Sequence, residues 1–189
     1  MSHMGPARLT VLEMIPRKAV GAEVGVFKGD FSAELLQRTS PERLYLIDPW
    51  LSVDDELHRA SLYAAAIRSQ ADMDQIHAGV MSRFAEQISV GRVVMRRGPS
   101  ASVLAEMPDQ SLDWIYIDGD HSYQNVITDL RLSFTKVKPG GLICGDDYMV
   151  GGWWTDGVIR AVHDFLYEAQ SRVRIKVLID TQFMLLVVG

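Results

Sequence analysis

Short apolar runs alternate along this chain with longer stretches in which apolar positions recur every three or four residues. Residues 19–27 form a Val- and Ala-rich run ending in a Gly-containing turn. Residues 30–38 follow with helical spacing, placing Phe31, Leu35 and Leu36 on one side. Further strands are predicted over 44–47 (closed by Asp48-Pro49), 92–96, Leu112–Ile117 and 142–144. Between them, 54–89 is polar and Ala-rich and reads as helix, with Gly79 as its weakest point. Residues 100–107 read as a short helix, 123–137 as a helix stopped by Lys138-Pro139-Gly140-Gly141, and 156–169 as another. Apolar strands separated by helices imply a parallel sheet covered on both faces.

The C-terminus departs from that rhythm. Val173–Ile179 and 183–188 are both strand-like, with only a few residues around Asp180-Thr181 between them. A parallel crossover needs about a dozen residues or more, so these two strands should be antiparallel neighbours. The expected sheet is seven-stranded and mostly parallel, with one reversed strand near its end.

Length and composition narrow the partners. The 189 residues suit one domain; Met1-Ser2-His3-Met4 reads as a cloning remnant, leaving 5–189 as the domain. Hydrophobic residues at 48%, charged residues at 23%, and only 15 Gly and 7 Pro exclude wholesale disorder and low-complexity scaffolds. A net charge of -5 argues against nucleic acid, which binds mainly through phosphates. No apolar run reaches the ~18 residues of a membrane-spanning helix, so no membrane partner is expected. The single cysteine, Cys144, allows neither an internal disulfide nor a cysteine-rich zinc site, which fits a reducing, cytoplasmic compartment.

The candidate chemistry lies at strand ends, where parallel α/β sheets bind ligands. Glu23-Val24-Gly25-Val26-Phe27-Lys28-Gly29 is an E-x-G-x-x-x-G pattern. Gly25 lets the backbone turn beside a ligand and Gly29 opens the next helix. A dinucleotide site would prefer G-x-G-x-x-G; here position 27 is Phe, and Glu23 suits a ligand with an amino group better than a pyrophosphate. Asp48 ends the second strand, where a carboxylate accepts both hydroxyls of a ribose. The fourth strand ends Ile117-Asp118-Gly119-Asp120-His121-Ser122-Tyr123 and the fifth Gly145-Asp146-Asp147-Tyr148. Carboxylates converging at that density raise one another's pKa unless a cation sits among them. Oxygen ligands point to Mg²⁺ or another hard divalent ion, with Asp118, Asp146 and Asp147 as the economical set and Asp120 facing either way. His121, three residues beyond Asp118, is placed to take a proton from a metal-bound hydroxyl. His3, His58, His77 and His163 are given a structural or exposed role.

The order E-x-G-x-x-x-G, strand-two Asp, I-D-G-D-H-S-Y and G-D-D-Y resembles the class I S-adenosylmethionine-dependent methyltransferases. More narrowly it resembles the metal-dependent sugar O-methyltransferases of the macrocin and mycinamicin type, a group with cephalosporin-hydroxylase-like members. The likeness covers about residues 19–189. It implies a three-layer, Rossmann-like α/β fold whose sheet has one antiparallel C-terminal strand. It also implies S-adenosylmethionine and Mg²⁺ as cofactors. By position, Glu23 and Gly25 would face the methionine part, with Val26 and Phe27 of the same turn. Asp48 would hold the ribose, Ser32 the carboxylate, and Gly98 and Ser100 the adenine. Asp118 would serve both cofactor and metal, Asp146 and Asp147 the metal, and His121 would be the base. Two departures stand out: Asp30-Phe31 replaces a common Gly-Ser pair, and the chain is short before its first strand.

The implied reaction is direct methyl transfer to a hydroxyl of a sugar, saccharide or glycosylated natural product. The loop at 149–155, with Trp153-Trp154, would cover the acceptor, or else pack as core. Rival readings are a catechol- or phenol-directed O-methyltransferase, a cephalosporin-type metal-dependent hydroxylase, and a non-catalytic nucleoside-binding domain. The intact Asp118/His121/Asp146/Asp147 set argues against the last, because binding alone needs no base. A homodimer is expected, since a partner often completes an open acceptor pocket.

Overall fold

The computed structural model describes residues 5–52 and 69–188. Its strands are β1 (Val20–Val24), β2 (Arg43–Asp48), β3 (Val93–Arg97), β4 (Leu112–Ile117), β5 (Val137–Gly145), β6 (Val173–Ile179) and β7 (Gln182–Val187). They form one sheet in the order β3-β2-β1-β4-β5-β7-β6. The pairs β1–β2, β1–β4, β2–β3 and β4–β5 are parallel, and β7 runs antiparallel to both β5 and β6. β7 is therefore the one reversed strand, as the short link around Asp180 requires. Helices α1 (Pro6–Met14), α2 (Asp30–Thr39), α3 (Gln70–Arg83), α4 (Ala85–Ser89), α5 (Ser100–Glu106), α6 (Tyr123–Lys136) and α7 (Gly157–Ala169) accompany the sheet.

Alternation along β4 builds the two cores. Trp114 and Tyr116 pack with Val11 and Leu12 of α1 and Leu35 of α2, while Ile115 and Ile117 pack with Leu130 of α6 and Phe165 of α7. All nine of the side chains in β4, α1, α2 and α6–α7 just named are buried, each worth about 1.5–3 kcal/mol against exposure. A Cβ at Gly21 would lie 2.1 Å from the Trp114 ring, so only glycine lets that indole lie against β1.

Register positions the site. Val24 lies beside Ile47 and Ile117, and Ile117 beside Gly145. The segments leaving β1, β2, β4 and β5 thus start at one level, along the carboxyl edge of the sheet.

Three expectations change. The stretch before β1 contains α1, whose Pro6 sits at a helix start and whose buried Ala7, Val11 and Leu12 form its inner face. β5 begins at Val137, before Pro139-Gly140-Gly141, because Val137 pairs with Leu112 and Leu142 with Trp114. The intervening residues bulge out, with Gly140 at φ 83°. α3 runs through Gly79 and breaks at Phe84 instead, since Gly79 faces solvent and Val80 beside it is buried. Of the predicted 54–89 helix, the part up to residue 68 lies outside the described residues.

Candidate active site

Glu23, at the end of β1, is fully buried. Its Oε2 accepts from Ser32 Oγ at 2.5 Å, while Oε1 is buried without a partner. Burial pushes this carboxyl well above the usual carboxylate range, with the Ser32 hydrogen bond pulling the other way. Gly25 follows at φ 88°, and a Cβ there would lie 2.0 Å from the Asp118 carbonyl oxygen. The β1 and β4 loops therefore meet backbone to backbone, which is the reason for glycine.

Asp48 holds the glycine loop. Its Oδ2 accepts from the N–H of Val26 and of Phe27, both at 2.9 Å, and its Oδ1 from Trp50 N–H at 2.6 Å. Trp50 Nε1 donates to the Phe27 carbonyl at 2.9 Å, closing the loop from the other side. A carboxylate offers about four acceptor positions, so capacity remains for a ligand hydroxyl. On the next loop, Gly98 N–H donates to the Asp48 carbonyl at 3.0 Å. Ser100 hydrogen-bonds the buried Asp129 of α6. The residues expected to meet a nucleoside are thus gathered at one edge, with Ser32, Asp48 and Ser100 each already bonded within the protein.

The acidic residues meet at the ends of β4 and β5. Asp118 Oδ2 accepts from Arg8 Nη2 at 2.7 Å, and Asp146 Oδ2 accepts from the same nitrogen. Asp146 Oδ1 accepts from Thr181 Oγ1 at 2.6 Å, from Asp147 N–H at 2.7 Å and from Gln182 Nε2. Asp147, at φ 58°, turns its Oδ2 to within 2.9 Å of His121 Nδ1, outside hydrogen-bond alignment. His121 Nε2 lies 3.7 Å from Asp118 Oδ1. One ligand atom each from Asp118, His121 and Asp147 falls within 4.8 Å of the others. Asp120 instead accepts from Ser122 N–H at 2.8 Å, shaping the turn into α6.

These contacts set the charges. Burial pushes the Asp118 carboxyl up to about 6, with Arg8 opposing that rise. Burial lowers the His121 imidazole, but Asp147, Asp118 and Asp146 together outweigh it and leave it above its ordinary value. The tryptophans close over this group. Trp153 stacks nearly parallel to His121 at 6.3 Å between ring centroids, and Trp154 meets it edge-on at 5.0 Å.

Arg8 is the site residue that motif reading missed. Its guanidinium lies 4.8 Å from the Phe31 ring centroid and 5.6 Å from that of Tyr116. No local pattern marks it. The signal was indirect: a converging set of carboxylates requires a cation, and a protein side chain supplies one. Beside it opens a cavity of about 260 Å³, lined in part by Arg8, Asp146, Asp180, Thr181 and Gln182.

A methyltransferase-domain family model matches residues 22–148. The chain belongs to that family. The methyltransferase match takes in every strand-end residue described above, and leaves Arg8, the tryptophan pair and Thr181-Gln182 outside it. The chain is 27% identical over 149 residues, 79% of its length, to an uncharacterized protein of Acanthamoeba polyphaga mimivirus, and spans 60% of that protein. Among solved structures, a putative rRNA-methylase from Clostridium thermocellum superposes with a TM-score of 0.68 at 10% identity, covering 100% of this chain and 99% of that one. The O-methyltransferase TomG from Streptomyces achromogenes, involved in tomaymycin synthesis and solved with SAM, gives 0.68 at 18% identity, covering 100% and 82%. At identities this low the superpositions show a shared fold. Among the described residues, no helix is long and apolar enough to cross a membrane.

Proposed function

We propose that this methyltransferase domain transfers a methyl group from S-adenosylmethionine to a hydroxyl of a sugar or glycosylated small molecule, with a divalent ion assisting. The observation that carries the reading is the convergence of Asp118, Asp146, Asp147 and His121 beside the buried Glu23. Glu23 Oε1 lacks a partner, a vacancy that suits an ammonium group, and the bare Gly25 keeps the loop contact open. The cofactor supplies a methyl carbon already activated on a sulfonium sulfur. The donor set also fits a hard cation, because Asp118 and Asp146 aim two oxygens at one cationic nitrogen. Such an ion, when bound, lowers the pKa of the acceptor hydroxyl and fixes its oxygen.

The chain's own residues do the rest. Neutral His121 takes the hydroxyl proton as the acceptor oxygen bonds to the methyl carbon and the carbon–sulfur bond breaks. Asp147, 2.9 Å from Nδ1, stabilises the imidazolium formed. Trp153 and Trp154 keep water from His121 and offer flat apolar faces to a sugar ring. The polar cavity beside Arg8 and Thr181 offers partners for further hydroxyls. A second copy of the chain completing the acceptor side is part of this proposal.

A second reading follows from the 4.8 Å group: His121 itself ligates the ion, which would favour Mn²⁺ or Fe²⁺ over Mg²⁺. Methyl transfer from labelled cofactor to a panel of sugars and catechols, with chelator and after Mg²⁺ or Mn²⁺ addition, tests these assignments. Turnover on sugars that chelator abolishes and Mg²⁺ restores is the expected result. Full activity in excess chelator would leave the cluster a structural feature, and catechol methylation alone would transfer the acceptor to the phenol class.

A further inference from the structure

The acidic cluster already contains a cation of its own. Two carboxylate oxygens, Asp118 Oδ2 from the end of β4 and Asp146 Oδ2 from the end of β5, converge on the single nitrogen Arg8 Nη2. The guanidinium is backed by the rings of Phe31 and Tyr116, and α1 behind it is anchored by the buried Ala7, Val11 and Leu12. A divalent ion bonding these two oxygens at about 2.0–2.6 Å would sit beside the guanidinium that both already bind. The two cations would also repel at that separation. At the start of α1, Gly5 provides no side-chain capping hydrogen bond.

We propose that Arg8 is an exchangeable counter-ion of the acidic cluster. It keeps Asp118 and Asp146 converged while no ion is bound, and it leaves both when a divalent ion enters, loosening the first turn of α1. The inference rests on the metal reading given above and adds its control: ion affinity is set by competition with a side chain of the same protein. The metal-loaded and metal-free proteins then differ at α1, a helix that lies outside the matched methyltransferase segment.

Mn²⁺ is the probe, with binding read by electron paramagnetic resonance and α1 read by amide hydrogen exchange. Arg8→Met removes the competitor and should bind Mn²⁺ about tenfold more tightly, the scale of one charge-assisted contact removed. Arg8→Lys, which keeps the charge but not the fork of donors, should fall between. In the wild type, Mn²⁺ should speed exchange over residues 6–14; in Arg8→Met it should not. Equal Mn²⁺ affinity in wild type and either folded variant would overturn the proposal, as would unchanged or slowed α1 exchange in a wild type that has bound Mn²⁺. Mn²⁺ binding to Arg8→Met alone supports it and makes Arg8 the dominant occupant. Binding to neither protein removes the metal reading, and this inference with it.

Discussion

Asp48 accepts from three backbone N–H groups before any ligand arrives, whereas His121 sits between two carboxylates with no aligned hydrogen bond. That difference separates a residue that builds the loop from one whose Nδ1 is left without a hydrogen bond. His121→Ala should keep cofactor binding, because Glu23, Gly25 and Asp48 are untouched, and should cost about 10²–10⁴ in rate, the usual share of a positioned base. Calorimetry with the cofactor beside single-turnover methyl transfer checks both halves; a nearly active variant would hand the proton to water. Asp129 gives a cleaner pH prediction, being only 2% exposed and distant in role from the chemistry. Burial pushes its carboxyl up to about 6, against the Ser100 hydrogen bond. The folded state therefore holds a proton that the unfolded state has released between pH of about 4 and 6, and stability falls as pH rises through that window. About 3 kcal/mol is at stake, at roughly 1.4 kcal/mol per unit. Asp129→Asn should match the wild type near pH 4 and exceed it near pH 7 in urea unfolding; parallel pH curves would contradict the shift. At this scale the sequence named the acids and His121 correctly as neighbours, because strand ends in a parallel sheet share one edge. It could not show where each oxygen points, nor that Ser32, Ser100 and Asp146 have partners inside the protein, since those partners lie on other elements.

Elements were legible where their apolar period was strong and obscure where a special residue masked it. The strands β1 to β4 and the β6–β7 hairpin follow from apolar runs and link length alone. α1 was obscured because Pro6 reads as a breaker although it sits at a helix start, where its missing N–H costs nothing. β5 was obscured because Pro139-Gly140-Gly141 reads as a stop, while the sheet absorbs those residues as a bulge. Gly79 misled in the opposite sense. A glycine in a polar stretch suggests a break, yet α3 passes through it because the ends of the helix are fixed elsewhere. Ser69 caps it, its side chain accepting from Asp72 N–H at 3.3 Å. The cost of Gly79 is then borne as unfolded-chain entropy, which predicts a gain on substitution. A Cβ there meets nothing within 4 Å, so Gly79→Ala should stabilise the protein by about 0.5–1 kcal/mol. A shift of the denaturant midpoint upward at unchanged slope is the expected reading, and a downward shift would mean that α3 is strained at that position.

At the scale of the whole molecule, the site belongs to no single element. β1 contributes Glu23, β2 Asp48, the segment leaving β4 Asp118, the segment leaving β5 Asp146, α1 Arg8 and the β6–β7 turn Thr181, brought together by strand order and register. A ligand bridging several of these elements binds only the folded state and must raise its stability. S-adenosylhomocysteine, the demethylated product, at about a hundredfold over its dissociation constant should add roughly 2.7 kcal/mol. For a chain of this size that is a rise in Tm of about 5–10 °C. Asp48 separates the two contributions expected of it. Asp48→Ala frees the N–H groups of Val26, Phe27 and Trp50 and should lower Tm without ligand; it should also remove most of the ligand-induced rise by weakening binding more than about tenfold. Trp50→Phe is the matching control, since it deletes the Nε1 hydrogen bond to the Phe27 carbonyl and leaves the carboxylate in place. It should lower the ligand-free Tm while keeping most of the ligand-induced rise. Equal losses of that rise in the two variants would assign Asp48 to the loop alone, and an undiminished rise in Asp48→Ala would remove the ribose from its role altogether.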